Sequence, residues 1–96
     1  MTYSELRTRL QALRPLLDRH RVKRLDVFGS VVRGDATPDS DIDLIVEFDG
    51  PASLFDLLRL RAALADAFGR PVDLATFGGL QPRYRERILR EARRAA

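Results

Sequence analysis

The sequence predicts a small α/β domain of the α+β kind, a mixed sheet of three strands flanked by helices, and three observations lead to it. Helical and strand periodicities alternate along the whole chain; the stretch between the second and third strands is long enough for a helical crossover; and 96 residues with 45% hydrophobic content suffice for one core. A single domain over residues 1–96 is therefore expected. A chain of this size buries about 60–70% of its unfolded surface and needs no covalent staple. The absence of cysteine excludes a disulfide scaffold, a thiolate metal site and a cysteine nucleophile, and one histidine leaves no ligand cluster for zinc. No apolar stretch approaches the ~18 residues needed to span a bilayer, and Met1 leads into polar residues rather than a signal peptide, so a cytoplasmic protein with no membrane partner is expected.

Thr2 to Glu5 has the form of a capping box, and Leu6, Leu10, Leu13 and Leu17 follow at spacings of four, three and four, one face of an amphipathic helix. Pro15 cannot donate to the helix ladder, so either the helix kinks there or a fresh turn starts at Pro15 and ends near His20. Leu25, Val27 and Phe28 make a short first strand over 24–28 that stops at Gly29. One helical turn is expected at Ser30–Arg33. Residues 42–48, with Ile42, Leu44, Ile45, Val46 and Phe48 interleaved by Asp43 and Glu47, read as a largely buried second strand. Gly50 and Pro51 end it. Ser53 can cap the next helix, 54–68, whose face is built by Leu54, Leu57, Leu58, Leu64 and Phe68 and which Gly69 closes. Residues 72–77 form the third strand, Gly78-Gly79 a turn, and Pro82 suits the first turn of a final helix running toward Arg94.

The crossover makes strands two and three parallel and right-handed, whereas the dozen residues between strands one and two favour antiparallel pairing. This topology brings Gly29 and Ser30 beside Asp41 and Asp43, with Asp73 at the same edge.

The net charge of +3 conceals three blocks: residues 1–34 carry eight bases and three acids, 35–56 no base and seven acids, and 57–96 nine bases and four acids. The middle block is either a solvated acidic loop or a cation site. Asp41 and Asp43 favour the second reading. Two apart on a strand, they share a face at roughly 6.5–7 Å between Cα atoms, and their repulsion costs stability unless a cation lies between. Hard oxygen ligands point to Mg²⁺ or Mn²⁺. Asp73 would raise the local charge to −3 against +4 for two divalent ions, and the remainder invites an anion. Gly29-Ser30 offers one a place, since backbone N–H groups at such a turn receive phosphate oxygens. Either element alone is commonplace. Together, four fixed positions at residue frequencies of ~5–7% would match by chance in about one chain in a thousand of this length.

The run over residues 29–46, GSVVRGDATPDSDIDLIV, resembles the signature of the DNA polymerase β-like nucleotidyltransferase superfamily: Gly-Ser, ten residues, Asp-x-Asp. With Arg33-Gly34-Asp35 and Ser40-Asp41 it looks like the minimal nucleotidyltransferases of prokaryotes, including antitoxins paired with HEPN-type ribonuclease toxins, and the resemblance extends over the whole chain. It implies transfer of a nucleoside monophosphate to a hydroxyl and, in the antitoxin branch, of AMP from ATP to a tyrosine of the toxin. By position, the resemblance makes Gly29 and Ser30 the nucleotide-binding pair and Asp41 and Asp43 the ligands of two Mg²⁺ ions, with Asp73, in the run PVDLAT, as third carboxylate and proton acceptor. Arg33 either reaches the triphosphate or pins the loop by pairing with Asp35 or Asp39. The alternatives are a binding module that silences its toxin by occlusion, and an enzyme acting on a nucleic-acid end or a small molecule.

Other features carry less. Ser40 reads as a turn residue, His20 as a helix-end imidazole, and Arg33-Gly34-Asp35 as an adhesion tripeptide has no extracellular context. The final helix sets six arginines around Tyr84, Ile88 and Leu89, which suits a solvated face or a protein partner before nucleic acid.

Overall fold

Helix α1 (Tyr3–Ala12) begins where the Thr2 hydroxyl accepts the Glu5 N–H at 3.1 Å, one half of the expected capping box; the structure, a computed structural model, describes residues 1–96. Of the two outcomes open at Pro15, the fresh turn is realised. Leu13 ends α1, and Pro15 sits in the first turn of α2 (Arg14–Arg19), where its missing N–H leaves no bond unmade. His20 caps α2, and Arg21, at φ 58°, turns the chain into β1 (Val22–Phe28), which starts two residues earlier than its apolar pattern indicates.

After the single turn α3 (Ser30–Arg33) come β2 (Ile42–Phe48), α4 (Leu54–Phe68), β3 (Val72–Thr76), α5 (Pro82–Glu91) and β4 (Arg93–Arg94). The sheet runs β3-β2-β1-β4, with β1 antiparallel to β2 and β2 parallel to β3, as the connection lengths require. It has four strands, not three. The final helix stops at Glu91 rather than Arg94, and residues 93–96 lie along the free edge of β1: Leu25 exchanges backbone hydrogen bonds with Ala95 and Ala96 at 2.8–3.1 Å, and Ala95 is buried. A two-residue strand has no periodicity to read; the open edge of β1 recruits it. β3 ends one residue early because Thr76 accepts the Gly79 N–H through both its carbonyl and its hydroxyl, closing the turn.

Register assigns the two faces. Leu25, Val27, Ile42, Leu44, Val46, Val72 and Leu74 share the face covered by Leu6, Leu10 and Leu17 of α1 and α2 and by Leu60, Leu64 and Phe68 of α4, which together form the core. Each fully buried leucine contributes about 1.5–3 kcal/mol. The face of α4 differs from expectation: Leu60 joins it, while Leu54 and Leu58 are 67% and 44% exposed. Leu57, Leu60, Leu64 and Phe68 keep the helical period, and Leu58 falls well off that stripe. The other sheet face presents Phe28, Asp26, Asp43, Ile45 and Asp73. No helix is long and apolar enough to cross a membrane.

Candidate active site

The residue after β1 adopts a conformation that only glycine readily supplies. Gly29 has φ 75° and ψ −147°, and a Cβ there would stand 2.2 Å from Asp43 Oδ2, so the backbone lies flush against that carboxylate. α3 follows at once and ends in Gly34 at φ 82°, whose N–H bonds Ser30 O at 3.0 Å. In the loop back to β2 the Ser40 hydroxyl accepts the Thr37 N–H at 2.9 Å while the Ser40 N–H bonds Thr37 O at 3.0 Å, the turn role expected of it.

Asp43 is the hinge of the arrangement. It pairs in register with Phe28 of β1 on one side and Asp73 of β3 on the other, so β1, β2 and β3 bring Gly29, Asp43 and Asp73 together, with Asp41 two residues upstream. The structure thus juxtaposes the three aspartates at one sheet edge beside Gly29, as the topology argument expects. Asp41 and Asp73 are exposed and Asp43 partly buried. The Asp43 carboxyl is pushed up from 3.8 to about 6, first by burial, then by the charges of Asp73 and Asp41, with Arg33 opposing and Glu91 adding to the rise. As the side chains lie, no three acids form a ready cage for an ion. The donors are nonetheless hard oxygens on one edge, with one carboxyl raised first by burial and then by its acidic neighbours, and this set fits a divalent cation that would relieve the repulsion.

Arg33 pairs with Asp35 at 3.5 Å and with Glu91 at 2.8 Å; Asp39 is not its partner. Sequence reasoning misses Glu91 at this site, and with it Phe28, Tyr84 and Ile88, which line the adjoining cavity. Glu91 Oε1 also accepts the Gly29 N–H at 2.9 Å. In the sequence an acid closing an arginine-rich helix reads as an ordinary surface charge, and only the path of α5 across the sheet face brings it to Gly29. Beside these groups lies a cavity of about 270 Å³, lined by the polar groups of Gly29, Arg33, Asp43, Arg87 and Glu91 together with Phe28, Tyr84 and Ile88. Such a mixed lining suits a ligand that carries both charge and a flat apolar part.

Residues 4–95 match the nucleotidyltransferase domain family. The protein adenylyltransferase MntA of Thermococcus cleftensis is 36% identical over 92 residues, 95% of this chain and 93% of that protein. A solved structure assigned as a minimal nucleotidyltransferase aligns at TM-score 0.78 with 46% identity, covering 97% of this chain and 95% of that one. A chain from the complex of a tri-AMPylated HEPN toxin of Shewanella oneidensis with MNT antitoxin aligns at TM-score 0.69 and 17% identity, over 95% of this chain and 71% of that one, a likeness of fold.

Proposed function

This chain belongs to the nucleotidyltransferase domain family, and we propose that it transfers AMP from ATP to a tyrosine hydroxyl of a partner protein, as the antitoxin of a pair with a HEPN-type toxin. The observation that carries this reading is the meeting of Asp41, Asp43 and Asp73 at one sheet edge against the Gly29 backbone and Arg33. The names of the relatives favour AMP as the transferred group and a HEPN toxin as its acceptor. ATP as substrate agrees with a cytoplasmic setting.

Asp41, Asp43 and Asp73 would hold two Mg²⁺ ions, which Mn²⁺ can replace. When bound, these ions neutralise triphosphate charge and acidify the acceptor hydroxyl. The chain's own groups do the positioning. The Gly29 N–H, the Ser30 hydroxyl and the Arg33 guanidinium receive phosphate oxygens, and the apolar wall of Phe28, Tyr84 and Ile88 takes the base. Asp73, exposed at the edge where a partner arrives, takes the proton of the acceptor hydroxyl. The acceptor oxygen bonds to the α-phosphorus, the bond from that phosphorus to the bridging oxygen breaks, and pyrophosphate leaves. Catalysis is then positioning and electrostatics. Residues 82–94 contribute to the partner interface: α5 buries no residue of its own, and Tyr84 and Leu89 are 45% and 38% exposed among arginines.

The test is transfer from α-labelled ATP to a co-purified partner in the presence of Mg²⁺. Label on a partner tyrosine is expected, and ATP with Mg²⁺ should raise the melting temperature more than either alone. An unlabelled partner together with an unchanged melting curve would refute the reading.

A further inference from the structure

We infer that Glu91 is an internal competitor for the nucleotide, holding the two donors that a phosphate oxygen needs until ATP displaces it. The inference rests on the nucleotide reading above and adds a control on the affinity of that site. One carboxylate oxygen, Glu91 Oε1, takes both the Gly29 N–H at 2.9 Å and Arg33 Nη1 at 2.8 Å. This is the demand of an anionic phosphate oxygen, met by the chain itself. The Glu91 side chain is only 16% exposed, so the carboxylate is seated on the donors rather than trailing in solvent. It also adds a fourth negative charge to the edge that carries Asp41, Asp43 and Asp73, which makes sense only while the two donors hold it there.

The helix that carries Glu91 is lightly seated up to the anchor that follows its C-terminus, so the group that must give way is the Glu91 side chain. α5 has no buried residue, no side-chain N-cap and Pro82 in its first turn; Arg85 bonds Phe77 O, and β4 tethers the far end by two register pairs. Tyr84, Ile88 and Glu91 line the same hollow as Gly29 and Asp43, so a phosphate that takes over the donors pushes on the wall that holds their present occupant. A competitor that occupies the donors for ~90% of the time weakens apparent affinity about tenfold. The opposing role is a buttress, in which Glu91 keeps Arg33 oriented for the nucleotide. The two roles predict opposite signs.

The experiment is calorimetric titration of the full chain with ATP and, separately, with tripolyphosphate, which lacks the base and sugar. Glu91→Gln, which keeps shape and loses charge, and Glu91→Ala should each lower Kd for both ligands about tenfold. Equal or weaker binding by both variants overturns the competitor. Failure of ATP to bind even the wild type refutes the nucleotide reading and this inference with it, whereas tight ATP binding indifferent to Glu91 refutes the inference alone. A second measurement needs no variant. On saturation with tripolyphosphate the Gly29 amide and the Glu91 side-chain carboxyl resonances of the wild type should both move, and a Glu91 resonance unmoved while ligand binds would overturn the exchange.

Discussion

At Asp43 stability and activity pull in opposite directions. Its carboxyl is raised to about 6 in the folded chain against an ordinary aspartate value of 3.8, so the folded state holds the proton more tightly. The stability this gives is fully present below about 4 and is lost as pH rises through 6. Apo unfolding free energy should therefore fall by on the order of 1–2 kcal/mol between pH 4 and 7, after discounting for partial exposure. Asp43→Asn should flatten that profile, raise the apo melting temperature by a few degrees near neutral pH and reduce transfer at least about 100-fold, as should Asp41→Asn. Asp73→Asn should lose transfer yet still bind ATP. Denaturation curves beside radiolabel transfer check all three, and full transfer by Asp43→Asn would refute the assignment. Gly29 makes a second case: Gly29→Ala puts a Cβ 2.2 Å from Asp43 Oδ2 at a positive φ, and should cost about 2–3 kcal/mol. Part of that cost should vanish in an Asp43→Ala background, a coupling that a double-mutant cycle measures. The convergence of Gly29, Asp41 and Asp43 was legible because it follows from local signals, a turn type and a strand period. Glu91 was not, because its partners lie 58 and 62 residues away.

The elements were readable to the extent that they carry their own signals. α4 starts at a full capping box, in which Ser53 Oγ accepts the Asp56 N–H at 3.3 Å and Asp56 Oδ2 accepts the Ser53 N–H at 2.7 Å. The Ser53 backbone bond and the Arg59 pairing hold the Asp56 carboxyl below its usual range, so this cap persists until pH falls through that lowered value. Ser53→Ala should cost about 1 kcal/mol in chemical denaturation while leaving ATP affinity unchanged, because α4 starts beyond the end of β2 opposite to Asp43. A loss of ATP binding would show that the two ends of β2 are coupled. The exposure of Leu54 and Leu58 was hidden for a different reason: leucine at a helix start satisfies hydropathy, and only the sheet's extent decides which turn of the helix it covers. β4 had no signal of its own, since Arg93 and Arg94 become a strand only through Val27 and Asp26.

For the molecule as a whole, the last residues complete what the first strand begins. Removing residues 93–96 deletes the Leu25 backbone bonds to Ala95 and Ala96 and the buried Ala95 side chain, and should cost about 1–3 kcal/mol and promote association, read by denaturation and light scattering. Unchanged stability and a monodisperse monomer would mean that β1 needs no cover. The same feature sets a schedule on the ribosome. β1, β2 and β3 all emerge before the segment that shields the outer edge of β1, so every nascent chain passes through an interval in which a hydrogen-bonding edge is bare and the Gly29 N–H has not yet met Glu91. Until α5 emerges the hollow also lacks its Tyr84 and Ile88 wall, so the site is completed only with the end of the chain, and pairing between neighbouring nascent chains is the hazard that accompanies the bare edge.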